Sequence, residues 1–311
     1  MRIIMLLNVF RGCFLILLSC LIYPHTAACQ IVDEIPEQVR TVLKDFTPDL
    51  VPKLEEKARE GDAKSQWILG WLYFIGQAVE KDRTKAIQWM TKAAAHDMPY
   101  VQSHLGLMYL SAKEIPGNYQ TAREWFLKGA ARNESDALNG LGVIYSEGLG
   151  VQPNGEEAIR YFRKAAEAGF DMAQYNLGYQ YLVGKIIPKN YEEAAKWLGL
   201  ASEQNHVTAI YVLGVMYRDG QGVARDFEKA RRLFVKGAEL GFPPAQQNVG
   251  AMYYAGQGVP KDLVVAYAWI SLAVDAGFEP ARKALQIVSE HMTPDQISEA
   301  KQKAQDWSKK H

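Results

Sequence analysis

Cysteine is scarce in this chain of 311 residues, and its placement limits what it can do. The three cysteines, Cys13, Cys20 and Cys29, are confined to the N-terminal segment. If a leader ending at Ala28 is removed, at most one cysteine remains, and no disulfide can form within the mature chain. A disulfide-stapled secreted domain is therefore excluded, and the fold must be stabilised by burial of apolar side chains.

An excess of charge of one sign is also absent. Lys and Arg together number 35, and so do Asp and Glu. All acidic residues lie beyond Ala28, whereas Arg2 and Arg11 precede it, so the chain from Cys29 onward is slightly acidic. Nucleic-acid binding requires a basic surface, and we therefore predict no nucleic-acid partner.

Long apolar runs are confined to the N-terminus. Residues 13–23 form an uncharged apolar run after Arg2 and Arg11, and the small residues at 26–28 offer a cleavage site. This order is typical of a secretory signal peptide, and we predict one over residues 1–28, with export to the periplasm or to the medium. The run is shorter than the about 20 apolar residues of a transmembrane helix.

Two other fates of the N-terminus stay open, and both would attach the chain to a membrane there. The apolar segment could remain as an uncleaved anchor. Alternatively, the chain could carry a lipid, because residues 17–20 and 26–29 each resemble a bacterial lipoprotein box that ends in cysteine.

Motifs of catalysis and metal binding are missing as well. No two of the six histidines have the i, i+4 spacing of a helical metal site, and no G-x-S-x-G nucleophile elbow occurs. We interpret His96 and His206 as helix-end residues whose positive charge favours the helix dipole. The sequence thus predicts no catalytic residue, no metal ligand and no cofactor.

What the chain does contain is a repeat of 36 residues. Three columns recur six times without insertion or deletion: Gly70, Gly106, Gly142, Gly178, Gly214 and Gly250; Tyr73, Tyr109, Tyr145, Tyr181, Tyr217 and Tyr253; Ala86, Ala122, Ala158, Ala194, Ala230 and Ala266. Each glycine lies in a helical pattern, where it costs about 1 kcal/mol relative to alanine. We interpret its recurrence as a sign that another backbone approaches too closely for a β-carbon, and we expect the tyrosine to fill the space between paired helices.

A second helix in each unit has its own start and stop signals. Asp and Asn, which are favoured N-caps, open it at Asp82, Asn118, Asn154, Asn190, Asp226 and Asp262. Residues that tolerate the left-handed conformation end it at Asp97, Asn133, Gly169, Asn205, Gly241 and Gly277. Glu157 and Glu193 stand three residues after their N-caps, and we expect a capping box in these two units.

Partial units bracket the repeats. Residues 52–60 match the end of a second helix, and Thr293 begins an N-cap, proline and capping-box sequence with Gln296 that opens a polar helix to about Lys309. Polar end units let a solenoid terminate without exposing its stacking face. We divide the chain into the signal peptide, a linker with a capping helix (29–57), the repeats (58–291) and a C-terminal capping helix (292–311).

The repeat unit resembles the Sel-1-like repeat class, most closely over residues 213–241, LGVMYRDGQGVARDFEKARRLFVKGAELG. The resemblance implies an all-α fold, a right-handed superhelical α-solenoid of helix-turn-helix repeats, that acts as a scaffold for protein–protein contacts. The unit that starts near Pro99 departs most, because Ala112 and Glu114 replace both turn glycines. A cysteine-rich branch of the class has been linked to penicillin binding and β-lactam hydrolysis, and this chain lacks every one of that branch's repeat cysteines.

The first helices offer the candidate partner-binding residues. Positions three before, one after and four after the periodic glycine share one side of the helix, and we call this side the first-helix face. Its aromatic and charged members are predicted to line the concave surface as partner-binding anchors: Trp67, Trp71, Phe74, Tyr175, Tyr179, Tyr211 and Arg218. The alternative is that the aromatic residues pack between neighbouring helices. We expect Trp71→Ala combined with Tyr179→Ala to spare stability and to abolish partner binding.

Taken together, the sequence predicts a monomeric, non-enzymatic scaffold of the bacterial cell envelope or secreted space. Its partner would be one or more proteins bound through the concave face. Two alternatives remain: a cell-wall-related enzyme or a β-lactam-binding or hydrolysing protein, and a secreted factor whose partner belongs to a host cell.

Overall fold

The structure, a computed structural model, describes residues 37–44, 46–111 and 118–309. Within these ranges all regular structure is helical, with sixteen α-helices, one 3₁₀ turn (Pro48–Leu50) and no strand. The helices are α1 (Glu37–Leu43), α2 (Val51–Arg59), α3 (Ala63–Ile75), α4 (Arg83–Ala94), α5 (Pro99–Ser111), α6 (Asn118–Ala130), α7 (Ser135–Glu147), α8 (Gly155–Glu167), α9 (Asp171–Val183), α10 (Tyr191–Glu203), α11 (Val207–Asp219), α12 (Phe227–Glu239), α13 (Pro243–Ala255), α14 (Leu263–Asp275), α15 (Pro280–Ser289) and α16 (Pro294–Ser308). The predicted signal peptide and the turn at Ala112 and Glu114 lie outside the described residues.

The helices form six consecutive pairs, from α3–α4 to α13–α14. This confirms the predicted all-α solenoid of 36-residue helix pairs. Within each compact unit the second helix of one pair packs on the first helix of the next, as α4 does on α5 and α12 does on α13. The chain divides into two compact units, unit 1 (Met1–Ala173) and unit 2 (Gln174–His311), and each is described below by itself.

The start and stop signals of the second helices act as predicted. The side chains of Asp82, Asn154, Asn190, Asp226 and Asp262 each accept a hydrogen bond from the backbone N–H three residues later. The backbone N–H of each of these N-cap residues also donates to the carbonyl of the periodic tyrosine, at 2.9–3.0 Å. At the other end all six predicted stop residues have positive φ, between 56° and 90°. One local hydrogen-bond pattern therefore fixes the geometry of every described turn of this kind.

The capping boxes predicted at Glu157 and Glu193 are wrong. Glu157 directs its carboxylate to the guanidinium of Arg160, 2.5 Å away, and Glu193 accepts from the indole N–H of Trp197 at 3.0 Å. Both partners lie one turn further along the helix and compete with the N-cap backbone for the carboxylate. A reciprocal box forms instead at Thr293 and Gln296, as predicted.

The group nearest to each periodic glycine is a side chain, and the predicted close approach of a backbone holds in three of the six units. A β-carbon on Gly142 would lie 2.5 Å from the ring of Phe162, and one on Gly214 would lie 2.7 Å from Phe234. In three units the carbonyl oxygen of the periodic alanine also approaches, to 2.7–3.3 Å. The nearest side chains stand four residues after that alanine, and all six are fully buried: Met90, Phe126, Phe162, Leu198, Phe234 and Ile270. The glycine thus makes room for the central core residue of its own helix pair.

The last helix covers the last repeat. In unit 2, α16 packs on α14, where Ala268 and Leu272 meet Ala304. Trp269 and Trp307 contact each other edge to face, with ring centroids 5.2 Å apart. Helix α14 is apolar on most sides. Packing against α16 therefore removes from water an apolar side of α14 that would otherwise be exposed at the end of the repeats.

Candidate functional site

An aromatic cluster occupies the first-helix face at the start of unit 1. It consists of Trp67, Trp71 and Phe74 from α3 with Tyr100 and His104 from α5. The ring of Trp67 stacks on His104 (centroids 5.9 Å apart) and meets Tyr100 edge to face, 5.8 Å away. Trp71 contacts Phe74 and His104 edge to face, at 5.5 and 5.4 Å. Such contacts stabilise a fixed ring arrangement beyond the area they bury.

His104 holds this cluster together from its centre. Its Nδ1 accepts a hydrogen bond from the indole N–H of Trp67 at 2.9 Å, and the indole nitrogen of Trp71 lies 3.4 Å from the same atom. Complete burial lowers the pKa of His104 to about 3. The imidazole is therefore neutral at physiological pH, and its Nδ1 stays available as an acceptor.

The structure divides the seven predicted binding residues into two groups. Trp67, Trp71, Tyr175 and Tyr211 are buried, with 3–5% of their surface exposed. They pack between neighbouring helices, the alternative that the sequence left open. Phe74, Tyr179 and Arg218 are half-buried and present part of their surface to solvent. A buried indole that donates to His104 cannot be truncated without loss of stability, so Trp71→Ala is a poor probe of binding.

Next to the aromatic cluster, unit 1 carries a group of carboxyls. Glu134 caps α7 by accepting from the Ala137 N–H at 2.8 Å, and it also accepts from the Ser103 hydroxyl. Burial and the neighbouring carboxyls of Glu134 and Asp171 raise the pKa of Asp136 to about 8. Asp136 therefore keeps its proton at neutral pH and hydrogen-bonds Glu134, so the group carries less negative charge than its composition suggests.

Unit 2 has an aromatic cluster of its own. Tyr175 stacks on the imidazole of His206 (4.7 Å) and on Tyr179 (5.9 Å). Tyr211 meets Phe242 edge to face at 5.4 Å. Of these rings, Tyr179 is half-buried on the first-helix face.

Arg218 is held in place by two neighbours. Its Nε and Nη2 donate to the carboxylate of Asp219 at 2.7 and 3.0 Å, and its Nη1 donates to Asn248 Oδ1 at 2.8 Å. Asn248 in turn donates to the Pro244 carbonyl at 2.8 Å. This chain of hydrogen bonds positions the guanidinium before any partner binds.

The interpretation of His206 from the sequence is wrong. His206 does not serve a helix C-terminus as a cation, because its Nδ1 accepts from the Ala209 N–H at 3.2 Å and caps the N-terminus of α11. A positive charge there would oppose the helix dipole. The one Ser-x-x-Lys spacing of the sequence, at Ser298 and Lys301, lies on the terminal helix α16, where both side chains are exposed.

The described ranges contain neither a cluster of metal-binding side chains nor a helix that could span a membrane. No group of three or more His, Cys, Asp or Glu side chains there could hold a metal ion. None of the helices in those ranges combines the length and apolar character needed to cross a bilayer. The chemistry that the first-helix face does offer is contact: rigid rings, a fixed guanidinium and amide groups, which are the usual anchors of protein–protein interfaces.

Sequence reasoning missed His104 and Tyr100, each of which follows Trp67 by close to one repeat length. In stacked repeats, two residues separated by about one repeat length lie side by side on consecutive units. The signal that could have found them is the excess of aromatic residues at neighbouring positions of two consecutive units.

Comparison with known proteins supports the fold. A family model described as Sel1 repeat matches residues 63–98, 99–134, 135–170, 171–206, 207–242 and 243–278. Among curated proteins none matches the chain. Among solved structures, a protective antigen present in uropathogenic Escherichia coli strains that displays an SLR fold is similar, with 32% identity and a TM-score of 0.68. The match covers 82% of this chain and 56% of the antigen, so the chain spans little more than half of that protein's length.

A second solved structure, a Sel1 repeat protein from Oxalobacter formigenes, is 27% identical with a TM-score of 0.67, over 92% of this chain and 94% of that one. Each repeat that the family model matches begins at the first residue of a helix pair. Sel1 repeat proteins are generally non-enzymatic scaffolds that mediate protein–protein interaction. With six consecutive matched units, the chain belongs to the Sel1 repeat family.

Proposed function

We propose that the chain is a non-enzymatic scaffold of the bacterial cell envelope or secreted space, and that it binds a protein partner through the first-helix face. The observation that carries this proposal is the aromatic cluster of unit 1. Phe74 and Tyr100 are half-buried rings, and Trp67, Trp71 and His104 fix their positions from below. A partner that binds fixed rings loses little conformational entropy, which favours affinity.

In unit 2 the equivalent positions of the first helices offer Tyr179 and Arg218 as accessible anchors. The buried ring of Tyr175 stacks on Tyr179 and supports it, whereas the buried ring of Tyr211 packs against Phe242. Arg218 already has its Nε and Nη2 engaged with Asp219, so it would contact a partner through the remaining edge of a fixed guanidinium. We therefore assign accessible contact to Phe74, Tyr179 and Arg218, support of the accessible rings to Trp67, Trp71 and Tyr175, and core packing to Tyr211.

The proposal that the chain is exported does not depend on the binding face. It depends on the N-terminal sequence and on one similar protein. Residues 1–28 have the order of a signal peptide, and a similar protein is known as a protective antigen of uropathogenic strains. That likeness favours, as a second candidate, a secreted or surface-exposed factor whose partner belongs to a host cell. The intact mass of the chain recovered from its producing cells tests export, because cleavage after Ala28 gives a chain that starts at Cys29.

Truncation of the accessible rings tests the binding face. Phe74→Ala combined with Tyr100→Ala should lower the yield of the partner crosslinked in native envelopes at least tenfold, with helicity retained. The control is Tyr191→Ala combined with Leu240→Ala, which removes exposed apolar side chains at the start of α10 and just after the end of α12. Equal yields for the two double variants would contradict the assignment. Reproducible turnover of nitrocefin or peptidoglycan by the purified chain would contradict the scaffold role itself.

A further inference from the structure

A second surface of unit 1 combines aromatic rings with cations at the repeat spacing. Lys92 Nζ lies 4.4 Å from the ring centroid of Trp89, and Lys128 Nζ lies 3.8 Å from that of Trp125. In the next pair, the guanidinium of Arg160 lies 4.3 Å from the centroid of Tyr161. All three rings are half-buried on the second helices α4, α6 and α8. We call this surface the second-helix face of unit 1.

The face is basic at the end where the repeats begin. Helix α4 has three basic residues and no acidic one, α6 has two basic and one acidic, and α8 has three of each. Within the described residues, no carboxylate forms an ion pair with Lys92 or Lys128, and both lysines are exposed. Leu127, beside Lys128, exposes 37% of its surface. Lysines without an ion-pair partner among the described residues thus stand next to exposed apolar area.

The positive charge and the exposed apolar area of this face together indicate what kind of partner it would bind. Lysine and tryptophan both have an apolar body and a polar end, which suits the boundary between lipid headgroups and acyl chains. A basic cluster gains about 1 kcal/mol per lysine near an anionic bilayer. A peptide or an acidic helix would need a groove, whereas this surface consists of the outward sides of successive helices. We propose that the second-helix face of unit 1 docks on an anionic phospholipid bilayer.

Docking there goes beyond the scaffold role and does not depend on it. The candidate partner contacts lie on the first helices, and the lipid contacts would lie on the second helices of the same pairs. A chain bound to lipid in this way could keep its first-helix face for a protein.

Vesicle flotation tests the proposal directly. The chain purified from its producing cells is mixed with vesicles of phosphatidylcholine alone, or with about one third phosphatidylglycerol. Wild type is compared with Lys92→Glu combined with Lys128→Glu, and intact mass verifies that all variants share one N-terminus, so that any anchor contributes equally. The control, Lys196→Glu combined with Lys301→Glu, makes the same charge change at exposed lysines of unit 2; Lys196 also lies over a tryptophan, at 5.5 Å.

Wild type and the control should partition more strongly onto the anionic vesicles than onto vesicles of phosphatidylcholine alone. The Lys92/Lys128 variant should have a partition coefficient on anionic vesicles at least about 25-fold below that of wild type, since each lysine contributes about fivefold. Hydrogen exchange should slow in residues 83–94 and 118–130 on anionic vesicles only. Equal loss in the control, no dependence on phosphatidylglycerol, or protection elsewhere would overturn the proposal. Binding of an acidic protein to this face without any binding to vesicles would overturn it too.

Discussion

Replacing Asp136 by asparagine should stabilise unit 1 at neutral pH and should remove a pH dependence that the wild type shows. Burial, together with the carboxyls of Glu134 and Asp171, raises the pKa of Asp136 from 3.8 to about 8. Between these two values the folded chain keeps a proton that the unfolded chain releases. Unfolding therefore liberates a proton, and the free energy of unfolding falls as the pH rises through this window.

The size of the effect follows from the proton count. A difference of one bound proton changes the free energy of unfolding by about 1.4 kcal/mol per pH unit. Between pH 5 and pH 7 the wild type should therefore lose roughly 3 kcal/mol relative to Asp136→Asn. The asparagine cannot ionise, and its amide can still hydrogen-bond the carboxylate of Glu134.

Urea denaturation of both proteins at pH 5, 6 and 7 measures this difference, and hydrogen exchange of residues 135–147 reports the opening of unit 1 itself. Asp306→Asn on the exposed side of α16 serves as the control for loss of a carboxylate. If wild type and Asp136→Asn show parallel stability curves over this range, the carboxyl is already ionised in the folded chain and the reasoning is refuted.

Four further substitutions test the packing. Gly142→Ala should cost about 1–3 kcal/mol, because its β-carbon would lie 2.5 Å from Phe162, whereas Gly199→Ala, with nothing within 4 Å, should gain up to about 1 kcal/mol. Ala78→Gly should add up to about 1 kcal/mol, since Ala78 has a φ of 59°, which costs an L-residue about 1–2 kcal/mol. His104→Leu should cost about 2–5 kcal/mol by leaving two buried indole N–H groups without their acceptor. Thermal or urea unfolding checks each value; no loss for His104→Leu, or equal effects at the two glycines, would contradict the packing described.

The order of helices, caps and stops could be predicted because each depends on residues close in sequence. Asp82 caps the helix that it precedes, and Asn133 adopts the left-handed conformation that ends one. Six copies of the same signal at one spacing also remove the ambiguity of any single copy. Local chemistry plus repetition therefore fixes the fold class.

The candidate site could be predicted only in part, because burial depends on the neighbouring repeat. Trp67 and Phe74 lie on the same side of α3, yet the first is buried beneath Tyr100 and His104 while the second is partly exposed. That Phe162 is the side chain facing Gly142 could likewise not be predicted, because it depends on how the two helices pack. The role of His206 could not be predicted for the same reason, because it depends on which helix end its ring contacts.

Placing the photo-crosslinking residue benzoyl-phenylalanine at position 74 in cells that produce the chain tests most directly whether the first-helix face binds a protein partner. The comparison site is position 191, where Tyr191 on second helix α10 is 36% exposed. Binding through the first-helix face predicts an adduct of defined mass on irradiation at position 74 and none at position 191. An adduct that forms at position 191 and not at position 74 would contradict it.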